Sequence, residues 1–217
     1  MAKERIGIMG GSFDPIHQGH IRMAQCALDS LALDRVLMLP SGNPPHKPDI
    51  TPGEDRYRMV CAACAGIPGL IPCREELDRT GVIYTVDTLS RLQEKYPKAE
   101  LFYLIGADML MRLHRWDRLE DVLQMCTFIV FPRTSAYTPQ QLNEERKKLT
   151  AQGARILLMD RRCWTPPPPM RARPSRRAGA RPSCPSQCAS MPRLPDSTAW
   201  SCTSSKGPNG WRCSFKT

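Results

Sequence analysis

Along the first 160 positions, short apolar runs alternate with longer stretches in which apolar residues recur every three to four places. Arg5-Ile6-Gly7-Ile8-Met9 reads as a first strand, and Ile21, Ala24, Ala27, Leu28 and Leu31 then line one face of a helix. Residues 35–39 read as a second strand that ends at Pro40. A helix is expected after Thr51-Pro52-Gly53-Glu54, where Thr51 and Glu54 have capping-box spacing and Pro52 suits the first helical position. Residues 70–73 form a short strand, 86–96 a helix, 101–105 a strongly apolar strand, 117–124 a short helix and 128–131 another strand. Thr138-Pro139 opens a polar-faced helix that Gly153 stops, and residues 156–159 form the last strand. This alternation predicts an α/β fold, a parallel sheet with helices on both faces, and ligands bound beyond the carboxyl ends of its strands.

Composition divides the chain at residue 160. The net charge of +10 suggests a nucleic-acid binder until it is located, but residues 1–160 balance 20 Lys and Arg against 20 Asp and Glu. Residues 161–217 carry 11 basic residues, one acid (Asp196) and ten prolines, with no Ile, no Val and a single Leu (Leu194). Such a segment cannot bury enough apolar surface to offset its ordering entropy. One domain over 1–160 and a disordered, low-complexity basic tail over 161–217 are therefore expected. The charged start Lys3-Glu4-Arg5 runs straight into a strand, so no signal peptide is visible, and no apolar run approaches membrane-spanning length. Cys26, Cys61, Cys64, Cys73 and Cys126 fit core positions of a cytoplasmic protein; the Cys61-x-x-Cys64 pair has no second pair at zinc spacing.

The candidate chemistry follows the strand ends. After the first strand comes Gly10-Gly11-Ser12-Phe13-Asp14-Pro15-Ile16-His17-Gln18-Gly19-His20. A glycine pair there lets backbone N–H groups approach a phosphate. His17 and His20, three apart at the mouth of the next helix, add two imidazoles where the helix dipole favours an anion. After the second strand, Pro40-Ser41-Gly42-Asn43-Pro44-Pro45-His46-Lys47 presents an imidazole and a cation on a proline-stiffened loop. Gly106 and Asp108 follow the most apolar strand; Asp108 suits either a ribose acceptor or a helix N-cap. Trp116, among His114, Arg115, Asp117 and Arg118, is either an exposed stacking ring or a core residue. Thr85, at a helix start, is either an anion-binding position or an ordinary N-cap. Arg56 and Arg58 are expected to be solvated.

The first of these stretches resembles the nucleotidylyltransferase signature Gly-x-Phe-Asp-Pro-x-His-x-Gly-His. The second, together with Tyr84-Thr85-Val86-Asp87-Thr88-Leu89, Gly106-Ala107-Asp108-Met109-Leu110 and Trp116 with Leu119, resembles the bacterial nicotinate-nucleotide adenylyltransferase family over about residues 5–160. The resemblance implies a Rossmann-like fold. It also implies transfer of AMP from ATP to nicotinate mononucleotide in NAD biosynthesis, with release of pyrophosphate. His17 and His20 would then act on the triphosphate. Gly10, Gly11, Ser12, Phe13, Gly106 and Asp108 would complete the ATP site. Asn43, His46 and Lys47 would meet phosphate, Thr85 and Trp116 the nicotinate, and Mg²⁺ would bridge phosphate oxygens without a protein carboxylate cluster. A preference for nicotinamide mononucleotide is the same-fold alternative. Neither a membrane nor a nucleic acid is an expected partner, and oligomeric state is not legible.

One family motif, Ile-Ser-Ser-Thr-x-Ile-Arg after the final strand, has no counterpart; the chain instead runs Thr165-Pro-Pro-Pro-Pro-Met170. Reading each third base with the next two bases forces Leu from Cys163-Trp164 and Asp from Trp164-Thr165. The same reading permits Asp-Ala-Ser-Ser-Thr-Glu from Pro169 to Ser175. The break is therefore read as a shifted frame that leaves an impaired nucleotide-binding protein. The alternative is a genuine basic tail that binds nucleic acid or a membrane surface.

Overall fold

A computed structural model describes residues 3–42, 49–132 and 136–160 in full, and the backbone alone of 203–207 and 210–214. The chain divides into two units, Met1–Pro169 and Met170–Thr217.

The first unit is a parallel sheet built from β1 (Arg5–Gly11), β2 (Arg35–Pro40), β3 (Leu70–Pro72), β4 (Glu100–Gly106), β5 (Thr127–Phe131) and β6 (Arg155–Leu158). Its strand order is 3-2-1-4-5-6 and every pairing is parallel. The order reverses between β1 and β4, and that crevice at the carboxyl ends is where such sheets bind ligands. The helices are α1 (Gln18–Leu31), α2 (Gly53–Cys64), α3 (Thr85–Lys95), α4 (Ala107–Leu110), α5 (Leu119–Met125) and α6 (Pro139–Ala151).

Side chains alternate across the pleat and fill two cores. Ile6, Ile8, Tyr103, Ile105, Phe128 and Val130 face α3, α5 and α6, where Leu89, Leu92, Val122, Leu123, Leu142 and Leu149 meet them. Met9, Val36, Met38, Phe102, Leu104, Ile129 and Phe131 face the other way, onto Ile21, Ala24 and Ala27 of α1 and Val60 of α2. Near-continuous apolar strands are the signature of a sheet buried on both faces. The five described cysteines of this unit are free thiols, and four of them, all but Cys61, are buried. No described helix is long and apolar enough to cross a membrane.

Element boundaries differ from the sequence expectation at the start of α2 and in the segment before β5. The N-cap of α2 is Pro52, without a side-chain cap bond, so the Thr51–Glu54 capping box does not form. Thr51 is held elsewhere: its N–H donates to Asp14 at 2.9 Å and its carbonyl accepts from Arg56 at 2.8 Å. The expected short helix is shifted to Leu119–Met125, and α4 with a 3₁₀ turn, Leu113–Arg115, fills the segment before it. At α6 the reading holds, with Thr138 and Gln141 forming a reciprocal cap and Gly153 leaving at φ +96°. In the second unit, β7 (Thr203–Gly207) and β8 (Gly210–Ser214) pair as an antiparallel hairpin. The expected disorder of the tail otherwise lies outside the described residues.

Candidate active site

At the β1–β4 switch point a cleft of about 180 Å³ is lined by Gly10, Gly11, His20, Met23, Gly106, Met109 and Trp116, with Tyr103 at its base. β1 delivers the glycine pair at its carboxyl end, in register with Leu39 and Pro40 of β2. Gly10 is dictated by close approach: a Cβ there would stand 2.4 Å from the Tyr103 hydroxyl. Phe13 turns back through a left-handed conformation, φ 48°, and its buried ring meets His20 edge-on at 5.0 Å. A bulky residue at positive φ is uncommon outside functional turns.

The two histidines cap α1 with their own side chains. His17 is the N-cap, and its Nδ1 accepts the Gly19 N–H at 3.1 Å; His20 Nδ1 accepts the His17 N–H at 3.2 Å. The rings stack with centroids 3.8 Å apart. An Nδ1 that accepts an amide N–H leaves the neutral ring's proton on Nε2, so both rings act there as donors. The His-x-x-His pair thus does the work of a Ser-x-x-Glu capping box and sets two N–H donors beside the amides of a helix N-terminus.

Thr85 and Trp116 meet around a residue that the sequence reading passed over. Tyr103, buried at 7% exposure, lies beside Thr85 and meets Trp116 edge-on at 5.6 Å. Burial raises the Tyr103 pKa well above the tyrosine range, helped by the nearby charge of Glu76, so the phenol stays neutral. Trp116 is half-buried: one side packs on Phe128 and the core, another lines the cleft. Both of its expected roles are therefore compatible. Thr85 is the first residue of α3, and Tyr84, not Thr85, is the N-cap. Asp108 lies in the first turn of α4 behind the N-cap Gly106, so its expected N-cap role is replaced by a half-buried position beside the cleft. Asn43, His46 and Lys47 lie outside the described residues.

Arg56 departs most from expectation. It is fully buried, whereas Arg58 is exposed as expected. Burial lowers the Arg56 pKa from the ordinary arginine value, opposed by the charges of Asp14 and Glu76. Glu76 is 9% exposed, and burial raises its pKa against hydrogen bonds from Thr88 and Gly42 and the charges of Arg79 and Arg56. Among the described residues no group of three or more His, Cys, Asp or Glu side chains could hold a metal ion.

A 3-2-1-4-5-6 sheet with a glycine-rich turn, a helix N-terminus and two imidazole donors at its switch point defines a nucleotide-binding α/β protein of the nucleotidyl-transferring class. The cytidylyltransferase-like family model matches residues 8–164. A "Probable nicotinate-nucleotide adenylyltransferase" of Moorella thermoacetica is 40% identical over 152 residues, covering 69% of this chain and 70% of the relative. One of the same name from Corynebacterium kroppenstedtii is 46% identical over 131 residues, 59% of this chain and 62% of the relative. The solved Plasmodium falciparum nicotinic acid mononucleotide adenylyltransferase superposes with a TM-score of 0.60 at 17% identity, over 72% of this chain and 74% of that one. The chain belongs to the cytidylyltransferase-like family and, within it, to the nicotinate-nucleotide adenylyltransferases.

Proposed function

We propose that the protein transfers the adenylyl group of ATP to nicotinate mononucleotide, giving nicotinate adenine dinucleotide and pyrophosphate in NAD biosynthesis. The observation that carries the reading is the switch-point cleft, whose lining brings the glycine pair and His20, with His17 stacked on it, together with Trp116. The solved Plasmodium falciparum enzyme of the same fold is complexed with NaAD in one structure and with APC in another.

A phosphate oxygen of the mononucleotide attacks the α-phosphorus; a new P–O bond forms as the bond to the β-phosphate bridging oxygen breaks, and pyrophosphate leaves. Such chemistry needs positioning and charge stabilisation more than a protein nucleophile. In our reading His17 and His20 donate Nε2–H to the triphosphate, with His20 nearest the charge that develops at the α-phosphate. The amides of Gly10, Gly11, Ser12 and Phe13 support the phosphates, and Gly106 and Asp108 receive the nucleoside. Asn43, His46 and Lys47 neutralise phosphate charge, while Thr85 and Trp116 hold the nicotinate ring. Membership of this family implies dependence on a divalent cation. We read that cation as Mg²⁺ that arrives with the nucleotide, with phosphate oxygens and water as most of its ligands.

Pyrophosphate release measured with nicotinate and with nicotinamide mononucleotide tests the proposal. Faster turnover with nicotinate mononucleotide is expected. Equal or reversed preference overturns the substrate assignment.

A further inference from the structure

Arg56 sits in the first turn of α2 and makes four hydrogen bonds, all to backbone carbonyls. Nε donates to Thr51 at 2.8 Å, Nη1 to Ser12 at 2.8 Å, and Nη2 to Ser41 at 2.8 Å and Gly42 at 3.1 Å. Burying a guanidinium is costly unless its donors are paired, and its planar fork reaches separated carbonyls that the single ammonium of a lysine cannot span. Two further bonds tie the same stretch of chain. The Ser41 N–H donates to the Gly11 carbonyl at 2.8 Å, and the Asp14 carboxylate accepts the Thr51 N–H at 2.9 Å. The turn after β1 is thus held from the β2 and α2 side at Gly11, Ser12 and Asp14.

That grip has a direction. In a planar trans peptide the C=O and N–H point opposite ways. The Gly11 and Ser12 carbonyls are turned toward β2 and α2, so the N–H groups of Ser12 and Phe13 are turned away from them. The cleft lies on that far side: its described lining comes from β1, α1, β4 and the segment after β4, and includes no residue of β2 or α2. The Ser12–Phe13 peptide also leads into the left-handed turn at Phe13, φ 48°, whose ring meets His20. A bulky residue persists in that conformation only where its surroundings over-determine it.

We propose that Arg56 is a positioning residue for the triphosphate: by holding the Ser12 carbonyl it aims the Phe13 N–H into the cleft and sets the Phe13 ring against His20. This rests on the reading of the cleft as the ATP site. Arg56 does not itself touch substrate; it acts through the Ser12–Phe13 peptide.

The test compares the full chain with its Arg56→Lys and Arg56→Gln variants. Four quantities are measured: ATP affinity, nicotinate mononucleotide affinity, melting temperature, and hydrogen exchange at the Phe13 amide. Lysine keeps the charge without the fork, whereas glutamine leaves no unpaired buried charge. Each variant should bind ATP about tenfold more weakly, as for one lost charge-assisted hydrogen bond. Mononucleotide affinity should stay at the parent's value, because the Thr85 and Trp116 end of the cleft is untouched. ATP should slow exchange of the Phe13 amide in the parent, and do so less in the variants. A lowered melting temperature with parental ATP affinity marks Arg56 as structural only and overturns the proposal. So does equal weakening toward both ligands, the mark of a general loosening, and so does a Phe13 amide whose exchange ATP leaves unchanged. If Arg56→Lys does not fold, Arg56→Gln decides; if neither folds, the Phe13 amide of the parent does. A chain that binds ATP yet fails to adenylylate nicotinate mononucleotide refutes the proposed function and leaves the ATP measurements readable; one that binds no ATP overturns both.

Discussion

His20 combines two duties that mutation can separate. Its Nδ1 completes the cap of α1, and its ring lines the cleft. Glutamine is the ordinary residue at the third position of a reciprocal cap. His20→Gln should therefore keep the melting temperature close to that of the parent while removing the proposed phosphate donor. His20→Ala should lose the cap as well, at about 1 kcal/mol. Both variants should lower turnover by about a hundredfold or more, the usual cost of one donor aimed at developing charge. Steady-state pyrophosphate release and thermal melts check this. Normal turnover in a stable His20→Gln variant would place the residue in the cap alone.

At the scale of elements, the site depends on how closely β1 and β4 approach at their carboxyl ends. Gly10 has no Cβ because the Tyr103 hydroxyl occupies that space, while Tyr103 Cζ lies at a tolerable 3.4 Å. Gly10→Ala should destabilise the protein by about 1–3 kcal/mol through overpacking. Adding Tyr103→Phe should restore much of the loss, because it removes the hydroxyl that a Cβ at position 10 would meet. Melting temperatures of the four proteins measure that coupling; simple additivity would mean that the hydroxyl is not what excludes a side chain at position 10. The β2–α2 connection has a similar logic. Its Thr51 backbone is claimed by Asp14 and Arg56, which is why α2 starts at Gly53 without the expected threonine cap.

For the whole molecule, the buried Glu76 gives stability a pH dependence of predictable sign. Burial raises its folded-state pKa above the ordinary value of 4.5. The folded state therefore binds this proton more tightly than the unfolded state, and the associated stability is present below that ordinary value and lost as pH rises through the folded-state pKa. Glu76→Gln should remove this loss. Its melting temperature relative to the parent should climb between acid and neutral pH, whatever fixed offset the missing acceptor imposes. A difference that stays flat, or falls with pH, would contradict the raised pKa. The segment after Asp160 yields the second prediction at this scale. If its frame is shifted, the chain as it stands lacks several charge-assisted phosphate contacts worth about 1.5–3 kcal/mol each. A one-base correction after codon 160 should then accelerate turnover by about a thousandfold. An unaltered chain as active as the corrected one would show the missing motif to be dispensable.

The sequence alone determined the strands, most of the helices and the carboxyl-end placement of the glycine–histidine loop, because each rests on local periodicity or a strand-to-helix junction. It did not determine what those pieces face. Tyr103 is one more apolar-run residue in the sequence, yet strand pairing brings it under Gly10, Thr85 and Trp116. Arg56 carries the local signature of a solvated first-turn arginine, next to the exposed Arg58. Only the packing of α2 beneath two loops, 44 and 14 residues away in sequence, surrounds it with four carbonyls and buries it. Periodicity encodes which face of an element is apolar; which polar groups converge on a buried charge depends on contacts between segments distant in the chain, and tertiary structure decides it.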